Sequence, residues 1–366
     1  MFYAPAMVCC GRFFVPLEFL EKYDKIVWII KRYKVMSNAK VVLTGIKPTG
    51  MPHLGNYIGA LKPLIEQSAT HKTFVFIADL HALNTIHDAD TIKQHTYEIA
   101  ALLLSLGLNT DNAILFRQSD IDAIYKLNTL LMNVTPKGLM NRAHSYKAIL
   151  EKNGELGDDP DNGVNMGLYT YPVLMSADIL LYNADIVPVG ADQKQHVEFA
   201  RDIAEYFNRA YGNVFRLPEP QIGKDIGLIP GLDGRKMSKS YDNTIPLFAP
   251  EAELKKKIMR IITDSKLPNE PKNPDESTIY LLYKHFANDV EIQNMRDLFN
   301  QGKIGYGDAK KVLFEKINAV LSGPREKYNY LMAHTNELDK ILADGAMRAR
   351  AVADKNIKHI KKVMLG

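Results

Sequence analysis

The chain has 366 residues, 46% hydrophobic and 24% charged, with 46 Lys+Arg against 42 Asp+Glu for a formal net charge of +4. That composition excludes a mainly disordered chain and is long enough for one large or two medium domains with a real core. The two cysteines, Cys9 and Cys10, are adjacent and supply neither a zinc framework nor a disulfide scaffold, and no run of about 18 apolar residues suggests a membrane span.

Residues 1–36 differ in character from the rest of the chain. They are aromatic and mixed in charge, hold the single tryptophan, Trp28, and contain Glu18, Glu21 and Asp24, which do not suit a mitochondrial leader. Two readings stand: an extension ahead of a natural start at Met36, or a real appended helix. From Lys40 onward short apolar runs alternate with helical periods. VVLTGI (41–46) reads as a buried strand and 56–68 as a helix with its stripe at Ile58, Leu61, Leu64 and Ile65. FVFIAD (74–79) reads as a strand, 92–108 as a helix closed by Gly107, and AILFRQS (113–119) as a third strand. A Gly-, Asn- and Asp-rich loop is expected over 151–165, then a helix over 170–183, a strand over 184–190 and a helix over 191–211. Strand–helix alternation of this kind predicts an α/β fold with a doubly wound parallel sheet. Past Leu232 helical periods take over, at 251–263, 276–300, 306–321, 324–343 and 346–364, predicting a C-terminal all-helical domain. The expected division is 1–36 extension, 37–240 catalytic domain, 241–335 helical domain and 336–366 C-terminal basic helix. The last twenty residues hold six basic side chains and one acid.

Two motifs carry chemistry. TGIKPTGMPHLGNYIGA (44–60) lies where the first strand gives way to a helix, where free backbone N–H groups and the positive end of the helix dipole attract anions. Gly50, Gly55 and Gly59 leave room for a close approach, and His53 and Asn56 can donate to phosphate oxygens. Neither G-x-G-x-x-G nor G-x-x-x-x-G-K-[ST] is present. GLDGRKMSKS (231–240) places Lys236 and Lys239 among small hydroxyl residues after an Asp233-Gly234 turn. Two ammonium groups there suit charge developing on a leaving pyrophosphate.

Together PTGMPHLGNY and KMSKS resemble the two signatures of the class I aminoacyl-tRNA synthetases. The stretch TYPVLMSADILLYNADIVPVGADQKQHVEFARDIAEYFN (170–208) resembles the tryptophanyl members over some forty residues, and the likeness extends through most of 40–366. The resemblance implies a Rossmann-like catalytic domain, ATP with Mg²⁺ as substrate complex, L-tryptophan and tRNA(Trp) as partners, a homodimer and a cytoplasmic location, with no bound protein metal, no membrane and no DNA. It assigns catalysis to Lys236, Lys239, His53 and Asn56. It assigns ATP binding to Lys47, Pro48, Thr49, Gly55, Asn56, Gly190, Ala191, Asp192, Ile229, Lys236, Met237, Ser238, Lys239 and Ser240. Tryptophan binding falls to Asp178, Tyr171, Met175, Val187, Val189, Gln193, His81 and Leu43. Lys47 stands where many tryptophanyl enzymes carry Gln. His81 faces the pocket or is a core histidine satisfied by backbone. Lys147 reaches ATP phosphates or lies on the surface. Lys255, Lys256, Lys257, Arg260, Lys310 and Lys311 are candidate RNA contacts.

The physical case centres on Asp178. An indole N–H is a donor only, a carboxylate is a strong acceptor, and a lone Asp on an apolar helix is costly without a partner. A site built this way rejects phenylalanine by about 10⁴–10⁵-fold, so no editing domain is needed. The competing expectations are a tyrosyl-specific enzyme, a nucleotidyltransferase that does not charge tRNA, and a non-enzymatic tRNA-binding paralogue.

Overall fold

The computed structural model describes residues 40–190, 193–222 and 228–366, together with the backbone of residues 7–10 and 13–16. Strands β1 (Met7–Cys10) and β2 (Phe13–Pro16) pair as an antiparallel hairpin. Trp28 and the rest of the expected N-terminal extension lie outside the described residues. The main sheet holds β3 (Val41–Ile46), β4 (Lys72–Ile77), β5 (Ala113–Arg117), β6 (Ile186–Val189) and β7 (Glu219–Ile222), in the order β5-β4-β3-β6-β7 and parallel throughout. The chain builds outward from β3 to β5, then returns to the other side of β3 with β6. The switch point is therefore the crevice beyond the carboxyl ends of β3 and β6, where ligands bind in such sheets.

The apolar runs of β3 to β5 are buried on both faces, as parallel strands require. Val75, Ile77, Ala113 and Leu115 face one core cluster, which also takes helices Lys62–Ser68 and Ala89–Ser105 and the C-terminal helices. Leu43, Phe74, Phe76, Ile114 and Phe116 face the other, with helices Asp122–Met132, Met166–Leu181 and Lys194–Tyr211. Helix starts obey local chemistry. The Asp88 carboxylate accepts from Thr91 N at 2.8 Å, and Asn165 Oδ1 accepts from Leu168 N at 2.8 Å.

The expected loop over 151–165 is corrected at its start. Helix His144–Leu156 runs through Gly154 and ends at Gly157, whose φ of +72° supplies the left-handed cap. The C-terminal helices are also divided differently. The stretch 276–300 splits into Thr278–Tyr283 and Asp289–Asn300, whereas the break expected between 321 and 324 is absent. Helix Tyr306–Ala333 continues through Pro324, and the break falls at His334. Packing of Leu313, Ile317 and Leu321 before the proline and Leu331 after it outweighs the lost hydrogen bond.

The last helix, Thr335–Leu365, is a structural part of the sheet domain as well as a basic tail. Leu338 and Leu342 join the first cluster, while Ala346, Ala349, Ala353, Ile357 and Ile360 join the second. The helix therefore crosses the β5 edge near Gly345, where a Cβ would stand 1.7 Å from Leu115 O. Covering an edge strand removes a template for unwanted pairing. No described helix is long and apolar enough to cross a membrane.

Candidate active site

The turn after β3 is built for close approach. Thr49 N donates to Lys47 O at 3.0 Å, and Gly50 comes next with φ +87°, a conformation that only glycine adopts without strain. His53 then caps the helical turn Leu54–Asn56. Its Nδ1 accepts from Asn56 N at 3.3 Å while Asn56 Oδ1 accepts from His53 N at 3.1 Å. Because Nδ1 accepts, the proton of the neutral ring sits on Nε2. Burial, with Lys239 as the second cause, lowers the His53 pKa to about 4. The ring is thus a neutral donor, not a cation, at physiological pH. A π-helical segment, Tyr57–Leu61, continues directly from this turn, and Tyr57 stacks on Phe286 of the helical region at 6.3 Å.

The second motif lies against the first although 182 residues separate them. Gly55 N points at Met237 Sδ, 3.3 Å away, and Leu54 N donates to Ile245 O at 2.9 Å. Met237 N donates to Ile229 O at 2.9 Å, and Met237, Ile229 and Leu54 share one apolar cluster. Lys239 Nζ donates to Thr49 O at 3.3 Å, joining the two motifs at the turn after β3. The loop is held by Asn243. Its Oδ1 accepts from Ser238 N at 2.8 Å, and its Nδ2 donates to Asp233 Oδ1 at 2.7 Å and to Lys236 O at 3.0 Å.

On the other face of the sheet, Asp178 is 1% exposed on helix Met166–Leu181. Gln118 Nε2 reaches both its oxygens at 2.9 Å, and His81 Nε2 reaches Oδ2 at 3.0 Å. Of the four or so lone-pair sites of a carboxylate these contacts occupy three, leaving one acceptor position. Burial raises the Asp178 carboxyl above its ordinary range, and the bonds from His81 and Gln118 oppose that shift. Leu43 and Val187 are buried in the same cluster, and Tyr171, Met175 and Val189 pack against it. The loops after β4 and β5 are clamped a second time by Asp79. The Asp79 carboxylate accepts from the Ser119 hydroxyl, from Ser119 N at 3.0 Å and from Leu80 N at 3.0 Å.

A family model described as "tRNA synthetases class I (W and Y)" matches residues 37–322. A tryptophan–tRNA ligase of Pseudomonas aeruginosa is 49% identical over 328 residues, covering 88% of this chain and 73% of its own. One from Neisseria meningitidis is 49% identical over 317 residues, 86% of this chain and 94% of its own. The solved tryptophanyl-tRNA synthetase of Campylobacter jejuni, complexed with ADP and tryptophan, superposes with a TM-score of 0.81 at 40% identity, covering 88% of this chain and 98% of that one. This chain belongs to the tryptophanyl-tRNA synthetases.

In this synthetase the expected residues gather in two groups. Pro48, Thr49, Gly55, Asn56, His53, Ile229, Met237, Ser238 and Lys239 lie at the turn after β3 and the loop packed on it. Ser240 N donates to Ser238 Oγ at 3.3 Å. Lys47 is half-buried, and burial lowers its pKa. Lys236 is exposed on the loop and Lys147 on helix His144–Leu156. Gly190 is exposed after β6, and its carbonyl accepts from Gln193 N at 2.9 Å. Ala191 and Asp192 lie outside the described residues. His81 bonds through Nε2 to Asp178 Oδ2 at 3.0 Å, a side-chain contact on the Asp178 side rather than the backbone contact of a core histidine. Among the candidate RNA contacts, Lys310 donates to Met259 O at 3.1 Å and Lys311 pairs with Asp308 at 2.9 Å, so both are engaged within the chain.

Sequence reasoning missed Gln118 and Asn243. The signal for Gln118 was available: a polar side chain just past the apolar run AILF (113–116), at the carboxyl end of its strand. Asn243 had none, because its role depends on a loop closing on itself.

Proposed function

We propose that this chain activates L-tryptophan with ATP, releasing pyrophosphate, and transfers the tryptophanyl group to the 3′-terminal ribose of tRNA(Trp). The observation that carries the reading is the buried Asp178 carboxylate, held by Gln118 and His81 on an otherwise apolar helix, in a chain of this family.

In the first step the tryptophan carboxylate attacks the α-phosphate of ATP in line. The bond to the β,γ-pyrophosphate breaks, and tryptophanyl-adenylate forms. No side chain acts as nucleophile; the protein supplies position and electrostatic stabilisation. Asp178 accepts the indole N–H, while Val187, Val189, Met175 and Tyr171 enclose the rings. Gln193 holds the amino-acid head group, and Gly190 to Asp192 approach the ribose. On the phosphate side, the neutral His53 donates through Nε2, backbone N–H groups of the helix start face the anion, and Lys236 and Lys239 compensate charge on the departing pyrophosphate. Mg²⁺ travels with ATP as part of the substrate. In the second step the terminal 2′-hydroxyl of the tRNA attacks the adenylate. The helical region past Leu232 reads the anticodon as a single-stranded loop, with exposed Lys255, Lys256 and Arg260 near its phosphates. The active species is a cytoplasmic homodimer.

ATP–pyrophosphate exchange with each amino acid tests the reading. Tryptophan should drive exchange and tRNA(Trp) should be charged. Faster exchange with tyrosine, or adenylation without charging, would overturn it.

A further inference from the structure

We propose that His95 is a further phosphate-binding residue, whose Nε2–H donates to an oxygen of ATP or pyrophosphate across Gly50 from Lys239. His95 sits inside helix Ala89–Ser105, remote in sequence from both signature motifs. Its Nδ1 is buried and has no hydrogen-bond partner among the described residues. An orphaned buried N–H is rarer than an orphaned acceptor, so the partnerless Nδ1 is the acceptor and Nε2 the donor of the ring. That nitrogen stands 3.6 Å from where a Cβ on Gly50 would lie, and Lys239 Nζ stands 3.8 Å from the same point. The two nitrogens therefore flank the open face of a glycine whose φ of +87° resists any side chain.

The present partner of Lys239 is one carbonyl, Thr49 O, at 3.3 Å. A phosphate oxygen entering over Gly50 gives that ammonium a charged acceptor and gives His95 Nε2 an acceptor at the same time. His53 caps the helical turn three residues further on, close enough to Lys239 to feel its charge. Gly50 is then required twice, by the turn and by the approach of two donors to one face of it.

The inference rests on the proposed role of ATP as substrate. Its test compares wild type, H95A, H95Q and H95N in tryptophan-dependent ATP–pyrophosphate exchange, with pyrophosphate binding by calorimetry as a readout apart from turnover. Loss of one hydrogen bond to a charged acceptor should raise the ATP KM of H95A about tenfold or more and weaken pyrophosphate binding by a similar factor, with the tryptophan KM within about twofold of wild type. H95Q carries an amide donor near the ε position and should recover most of the loss. H95N, whose amide falls short, should not, and the Gln–Asn comparison stands even where H95A folds poorly. Unchanged ATP KM and pyrophosphate affinity in H95A, or equal behaviour of H95Q and H95N, overturns the proposal. A wild type that shows no tryptophan-dependent exchange overturns the parent reading instead, and His95-dependent pyrophosphate binding would still stand or fall on its own.

Discussion

Replacing Asp178 by Asn isolates the charge of the proposed indole acceptor from its shape. In the folded protein Gln118 Nε2 and His81 Nε2 both point at the carboxylate, at 2.9 and 3.0 Å. An amide at 178 presents one oxygen and one NH₂, so one donor would face another. The chain can relieve this, because Gln118 Oε1 is buried with no partner among the described residues. A flip of the Gln118 amide turns that oxygen toward the new NH₂. The flip carries the Gln118 NH₂ to the position that has no partner, so a stability loss of about 1–3 kcal/mol is expected. Tryptophan recognition should weaken as well, since a hydrogen bond to a charged acceptor is about twice as strong as a neutral one. The difference, about 1–1.5 kcal/mol, is roughly a tenfold rise in the tryptophan KM. Asp178→Ala removes the acceptor and strands both donors, so a rise of about a hundredfold is expected with lost stability. The ATP KM should move less than about twofold in either variant. Burial also lifts the Asp178 carboxyl above its unfolded value, so its favourable contribution is present at low pH and is lost as pH rises through the folded pKa. Asp178→Asn should erase that component of the pH–stability curve. Steady-state exchange kinetics and urea unfolding at several pH values measure both effects. An unchanged tryptophan KM in both variants, or an equal rise in the ATP KM, would refute the reasoning.

His53 should stay neutral down to about pH 4 in an NMR titration of its ring. Lys239→Ala should move the midpoint upward but short of 6.5, because burial is the larger cause. The depressed value means that this group's contribution to stability is present above pH 6.5 and is lost as pH falls toward 4. Gly345→Ala forces a methyl into Leu115 O and should cost about 3 kcal/mol, read as a fall in the urea midpoint. Asn243→Ala unties Ser238, Lys236 and Asp233 at once. It should lower kcat in exchange about tenfold while leaving the tryptophan KM unchanged, the pattern of a misplaced phosphate loop.

Strands β3 to β6 were legible because a buried parallel strand has little choice but to be apolar, and the two signature motifs because their residue types suit anions; β7, the mostly exposed edge strand EPQI, carries no apolar run and was not expected. The helix boundaries past residue 300 were less legible. Gly323-Pro324 is a strong local stop signal, yet burial on both sides of it carries the helix to Ala333, and nothing local to His334 announces the real break. The same holds for Asp178. The cost of leaving it unpaired predicts a partner, but the partners are 97 and 60 residues away in sequence, and only the topology brings β4 and β5 side by side to deliver them.

That topology also ties the C-terminal helix to the proposed amino-acid acceptor. Gln118 opens the short 3₁₀ turn Gln118–Asp120 after β5, and the turn is braced by the C-terminal helix. Arg117 pairs with Asp339 at 3.4 Å as well as with Asp120 at 3.0 Å, Tyr97 donates to Asp339 at 3.0 Å, and Arg350 Nε donates to Asp120 O at 2.8 Å. Both Asp339 and Arg350 belong to helix Thr335–Leu365, on either side of Gly345, where the helix lies on the β5 backbone. A displacement of this helix therefore acts on the turn that aims Gln118 at Asp178. Among the described elements it is the helix after Tyr306–Ala333, whose buried face includes Leu313, Ile317 and Leu321 in the core shared with Leu254 and Ile258 of the helical region. The part of the chain proposed to read RNA and the carboxylate proposed to read tryptophan are thus joined by a continuous path of packed side chains and hydrogen bonds rather than by a flexible linker.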